Sequence, residues 1–156
     1  MSDSYMALMI QSLRKKEEVL SVIIEENQKQ REILEVVNGT ADAFDATVEA
    51  KARLIEQLDQ LDSGFEKLFE RMKEELEGNK EHYAEDIRTA QSLIRSITDK
   101  SIEIRTQEAR NKDLMTSKFA GIKKQAQKAR KSSKAVAEYY RTMAGVIDPH
   151  FLDGKQ

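Results

Sequence analysis

The feature that most limits what this chain can fold into is a seven-residue ladder, Met6, Leu13, Leu20, Asn27 and Leu34, seconded by Met9, Ile23 and Val37. Apolar side chains that return every three or four residues put one buried stripe on an α-helix. Comparable ladders continue almost to Tyr140. A chain helical nearly end to end offers long grooves to other helices and few concave places for a small substrate. The expected fold is therefore all-α: an elongated antiparallel bundle of three long, coiled-coil-like helices. The C-terminal helix either extends beyond the others or folds back as a fourth, and a short tail follows it.

Composition narrows the classes. Of 156 residues, 39% are hydrophobic and 35% charged, with one Pro, six Gly, no Trp and no Cys. That profile belongs to long-helix proteins rather than to compact α/β enzymes. Without Cys there is no disulfide or thiol chemistry, which fits a reducing cytoplasm. His82 and His150 are the only histidines, so a zinc site built from Cys and His is not available. Asn79 stands three residues before His82, where a di-iron bundle needs Glu. No nucleophile elbow, phosphate-cradling loop or dinucleotide fingerprint is present. The expectation is a protein that is not an enzyme and uses no cofactor or metal. The N-terminal run lacks a basic stretch ahead of its short apolar segment, so no signal peptide is expected, and no 18-residue apolar stretch suggests a membrane span.

Punctuation along the chain divides it. Ser2–Ser4 offer a cap for helix one. Val37-Asn38-Gly39-Thr40 ends it, with Gly39 in a left-handed conformation and Thr40 capping helix two; so short a turn forces an antiparallel hairpin. Ser63-Gly64 lies inside helix two, yet the apolar phase crosses it undisturbed, so the helix is read as continuous. Phe65, Leu68, Phe69 and Met72 are its bulkiest cluster. Gly78-Asn79 is the next stop. The polar step at Asn27, Gln28 and Gln30 is read as a register-setting layer. Helix three regains the level of the first turn near residue 115. The domain reading is a bundle over 1–115, a basic helical extension over 116–143 belonging to the same domain, and a tail over 144–156.

The net charge of −2 conceals a polarity. Residues 1–80 carry 11 Lys/Arg against 18 Asp/Glu, and residues 81–156 carry 15 against 10. Between Arg110 and Lys134 nine Lys/Arg face only Asp113. Such asymmetry marks a nucleic-acid or anionic-membrane surface, a partner-docking face, or two helices of one bundle attracting each other.

The order of features resembles the FlgN family of flagellar export chaperones. The second helix bears Lys51-Ala-Arg-Leu-Ile-Glu-Gln-Leu58, and Lys51, Leu54, Ile55 and Leu58 match the family's Lys-x-x-Leu-hydrophobic-x-x-Leu pattern. Further on, Asn111 and Leu114 match the end of an Asn-x-x-Asn-x-x-Leu pattern, with Glu108 in place of the first Asn. The ending, Tyr139-Tyr140 to Phe151-Leu152-Asp153-Gly154-Lys155, is similar to that of Gram-positive members, with Gly154 where a Lys is usual. The resemblance covers roughly residues 10–155. It implies a cytoplasmic protein that binds C-terminal helical segments of hook-associated (hook–filament junction) proteins. It would keep them from assembling early and deliver them to the type III export gate.

An amphipathic client helix is shielded when its apolar face lies in a groove between long helices. The residues expected to receive it are Asn111, Leu114, Met115, Phe119, Ile122, Ala126, Tyr139, Tyr140, Phe151 and Leu152. Lys118, Lys123, Lys124, Lys128 and Lys131 are expected to steer an acidic segment. The protein would be a monomer or homodimer without a small-molecule substrate. The alternatives are a helical adaptor or scaffold, and a basic-helix module for membrane or nucleic acid. Against the latter, only Phe119 offers an aromatic for base stacking, and the apolar face of the basic stretch is mostly Ala.

Overall fold

The computed structural model describes residues 2–36 and 39–118. Within them the chain is three helices, α1 over Ser2–Glu35, α2 over Ala41–Gly78 and α3 over Ala84–Lys118, with no strand. At about 1.5 Å per residue each is on the order of 50–57 Å long. The expectations for residues 119–156, including the fourth helix and the tail, lie outside the described residues.

The side chains that meet across helices give the topology. Tyr5 pairs with Arg71, Ser12 with Leu61, Asn27 with Lys51 and Gln30 with Thr47, one number rising as the other falls. α1 and α2 are therefore antiparallel. Asp3 meets His82, Glu17 meets Ser96 and Asn27 meets both Gln107 and Asn111. Sequence separation barely changes along that series, so α1 and α3 run parallel. α1 is the shared neighbour: its backbone approaches α2 and α3 closely, whereas α2 and α3 have no Cα atoms within 8 Å of one another among the described residues.

Local chemistry explains the ends. The Thr40 hydroxyl accepts the Ala43 amide at 3.0 Å, capping α2 as its sequence suggests. Gly39 is needed for a different reason than the one expected. Its φ is not left-handed; a Cβ there would collide with the Ile33 carbonyl oxygen. At the other turn Asn79 ends α2, its amide nitrogens donating to Leu76 O and Glu75 O. Tyr83, 2% exposed, plugs that end of the bundle.

The ladders land where periodicity put them. Met6, Met9, Leu13, Leu20 and Ile23 from α1 meet Leu58, Phe65, Met72 and Leu76 from α2 and Ala90, Ile94, Ile97 and Ile104 from α3 in one core. Phe65 and Phe69 stack with ring centroids 6.4 Å apart. α2 runs unbroken through Ser63-Gly64. Gly64 is exposed with nothing within 4 Å of a built Cβ, so Gly64→Ala is expected to stabilise the protein by about 0.5–1 kcal/mol, chiefly by restricting the unfolded chain. A rise in urea midpoint at constant m-value is the reading that checks it.

Candidate partner-binding site

A buried polar layer separates two apolar regions. On one side lies the long core; on the other a small cluster of Leu34, Phe44 and Met115, edged by Ile33, Val48 and Leu114. Between them sit Asn27 and Gln30 of α1, Thr47 and Lys51 of α2, and Gln107 and Asn111 of α3, all buried, with Glu108 half-buried. Lys51 stands at its centre. Its ammonium donates to Asn27 Oδ1 at 2.9 Å, to Gln30 Oε1 at 3.2 Å and to both Glu108 carboxylate oxygens at 2.8 Å. Asn27 Nδ2 donates to Gln107 Oε1 at 3.1 Å, and Gln30 Nε2 to Thr47 Oγ1 at 3.0 Å. Asn111 Nδ2 donates to Asn27 O at 2.9 Å and Gln30 Oε1 at 3.2 Å.

These bonds are made only when all three helices hold one register, because a one-turn slip would leave a charged ammonium in the core. Asn27 and Gln30 thus behave as the polar step of the sequence suggests, whereas Gln28 is exposed. The Lys51 stretch and the Glu108–Leu114 stretch, which carry the sequence resemblance, meet in this layer.

One atom is left over. Asn111 Oδ1 is buried without a hydrogen-bond partner among the described residues. Asn111 borders a polar cleft between α1 and α3 whose rim includes Arg31, Glu103 and Arg110. The cleft is lined by charged and amide groups, an unsuitable surface for an apolar helix.

A second charged pair lies deeper. Lys16, 1% exposed, donates to the carboxylate of Asp62, 7% exposed. Burial pushes the Lys16 ammonium below its usual pKa, and the Asp62 carboxylate opposes that shift. The sequence carried a signal for this pair: Lys16 falls seven residues after Met9 and seven before Ile23, on the buried line.

The residues expected to receive a partner are distributed as follows. Asn111, 3% exposed, is spent inside the polar layer, and Met115, 1% exposed, packs against Leu34 and Phe44. Both are corrected from groove-lining to internal, because α3 still runs alongside α1 at that height. Leu114 is half-buried at the margin of the same cluster. Lys118 donates to Val36 O, closing the end of α1 rather than standing free for steering. Phe119, Ile122, Ala126, Tyr139, Tyr140, Phe151, Leu152, Lys123, Lys124, Lys128 and Lys131 lie outside the described residues.

The large exposed apolar side chains on the described surface are Leu8 and Val22 on α1, Val36 just beyond its end, and Ile102 on α3. No group of three or more potential metal ligands occurs among the described residues, and no helix there is long and apolar enough to cross a membrane. Comparison with family models finds no match, and comparisons with curated proteins and with solved structures find none either.

Proposed function

We propose that this chain is a helix-binding export chaperone of the FlgN type. It shields the C-terminal amphipathic segments of hook–filament junction proteins in the cytoplasm and hands them to the type III export apparatus. The observation that carries the reading is that α3 is still running where α1 ends. Met115 packs level with the α1–α2 turn, against Leu34 and Phe44, and α3 is still helical at Lys118, the last described residue. The apolar ladder nevertheless continues through Phe119, Ile122, Ala126, Val136 and Tyr140. α1 has no length left to pair with that stretch, so its stripe is the seam available to a foreign helix. An apolar helix face laid in such a seam loses contact with water and with copies of itself, which is what a chaperone of sticky helices must achieve.

A second reading has its own observation. Leu8 and Val22 on α1 and Val36 just beyond its end recur at fourteen-residue steps and are 47%, 40% and 51% exposed, a sparse apolar series along that side of the bundle. It would suit an adaptor that self-associates along α1. Both readings are tested by capture on the immobilised full chain from lysate of the source cell. Flagellar axial proteins are the expected catch. A return of only the chain itself, or of anionic vesicles or oligonucleotides held at about 150 mM salt, would contradict the chaperone reading.

A further inference from the structure

The polar layer divides the bundle unevenly. On one side, sixteen buried side chains from all three helices form one continuous core. On the other, toward the α1–α2 turn, Leu34, Phe44 and Met115 form a small buried cluster with Ile33, Val48 and Leu114 at its margin. The two clusters share no side chain.

The bonds of the layer run sideways. Lys51 donates to Asn27, Gln30 and Glu108, Asn27 to Gln107, Gln30 to Thr47, and Asn111 to Asn27 and Gln30. Each of these interhelix bonds begins and ends inside the layer, so it survives if the end beyond the layer comes apart. The Thr47 hydroxyl also donates to Phe44 O, but within α2. The bond from Lys118 to Val36 O lies wholly beyond the layer.

We propose that this end of the bundle, residues 31–36, 39–46 and 112–118, opens as one unit while the polar layer and the long core stay folded. The free energy of a local opening follows the apolar contact that it breaks. Opening the end exposes one cluster of three buried side chains; opening the whole bundle exposes the sixteen of the core as well. A layer of amides around an ammonium offers the Leu34 cluster no apolar neighbour, so cooperativity is weakest at that edge.

The unit sits where α3 is still helical at Lys118. Opening presents Leu34, Phe44 and Met115 as an otherwise covered apolar surface beside that helix. A ligand that binds the open form alone has its affinity reduced by the open fraction, so the unit acts as a gate. The proposal concerns the chain alone and does not depend on the export client.

Hydrogen exchange of the full chain, followed by mass spectrometry over a urea series below the unfolding transition, tests the gate. Amides at 33–36, 44–46 and 112–118 are expected to share one urea slope. That slope should be shallower than the slope at 13–24, 58–72 and 90–104, because it scales with the surface exposed. Met115→Ala, on α3, should speed exchange at 33–36 and 44–46, on the other helices, by the same factor as at 112–118, on the order of thirtyfold. Ile97→Val should speed the core amides about fivefold and leave the three end segments unchanged, since Ile97 stays packed when the end alone opens.

One urea slope for end and core, or an Ile97→Val effect common to both, means a single cooperative bundle and overturns the proposal. Acceleration by Met115→Ala confined to 112–118 means helix ends that fray independently, and overturns it as well. The urea slopes are read on the unmodified chain, so the test stands even where Met115→Ala fails to fold.

Discussion

Lys51→Met is expected to lower the stability of the folded chain by about 3–5 kcal/mol, the range for breaking a buried ion pair by removing one partner. The Lys51 side chain is 4% exposed and that of Glu108 14%. Removing the ammonium strands the Glu108 carboxylate beside the core and takes from Asn27 Oδ1 its donor. A loss this large shifts the urea midpoint by more than 1 M at the usual slope for a small protein. The double change Lys51→Met with Glu108→Met should recover much of it, since two apolar side chains of similar volume replace the pair. What remains is the unsatisfied Asn27 Oδ1, about 1–3 kcal/mol. Equal losses in the single and double variants would mean that Lys51 contributes packing rather than charge.

Asp62→Leu is the second large effect, again on the order of 3–5 kcal/mol at neutral pH, because it leaves the Lys16 ammonium buried without its carboxylate. The accompanying change Lys16→Met should cancel most of that loss. The pH dependence has a defined sign. Burial lowers the Lys16 pKa from 10.5, and Asp62 raises it by charge and by hydrogen bond. Between the folded and unfolded pKa values the unfolded chain binds more protons, so stability rises with pH through that window. It is complete above 10.5 and is lost as pH falls through the folded pKa. Removing Asp62 pushes the folded pKa lower and widens the window downwards. Asp62→Leu should therefore regain stability relative to the unchanged protein between pH 7 and pH 10. Parallel urea curves for the two proteins across that range, with a constant gap, would contradict this account of Lys16.

Much of this bundle is legible in one dimension. The ladders mark the inward faces, Thr40 and Asn79 mark the helix ends, and the undisturbed phase across Gly64 reveals a continuous α2. The return of α3 to the first turn near Met115 follows from helix length alone. Other features resist a one-dimensional reading for a specific physical reason. Periodicity puts Lys16 on the buried line between Met9 and Ile23, but it cannot say which groups meet Lys16 and Lys51 inside the bundle. Those partners stand 46 and 57 residues away in sequence, on other helices, and only the fold indexes that spacing. Asn111 and Met115 show the converse error. Their position at the end of a seam suggested a surface for a partner, but α1 and the α1–α2 turn reach far enough to bury both. Sequence alone could not show whether the chain's own helices covered the seam before or after residue 115.

The central claim, that a foreign helix is received beyond Lys118, is tested most directly by photo-crosslinking in the source cell. A benzophenone side chain is placed in the full-length protein at Phe119, Tyr140 or Phe151, and separately at Val22 or Ile102, which are 40% and 54% exposed on the described surface. Adducts with a flagellar axial protein from the first three positions, and none from the last two, are the expected result. Adducts formed only from Val22 or Ile102, or none with an axial protein from any position, would contradict it.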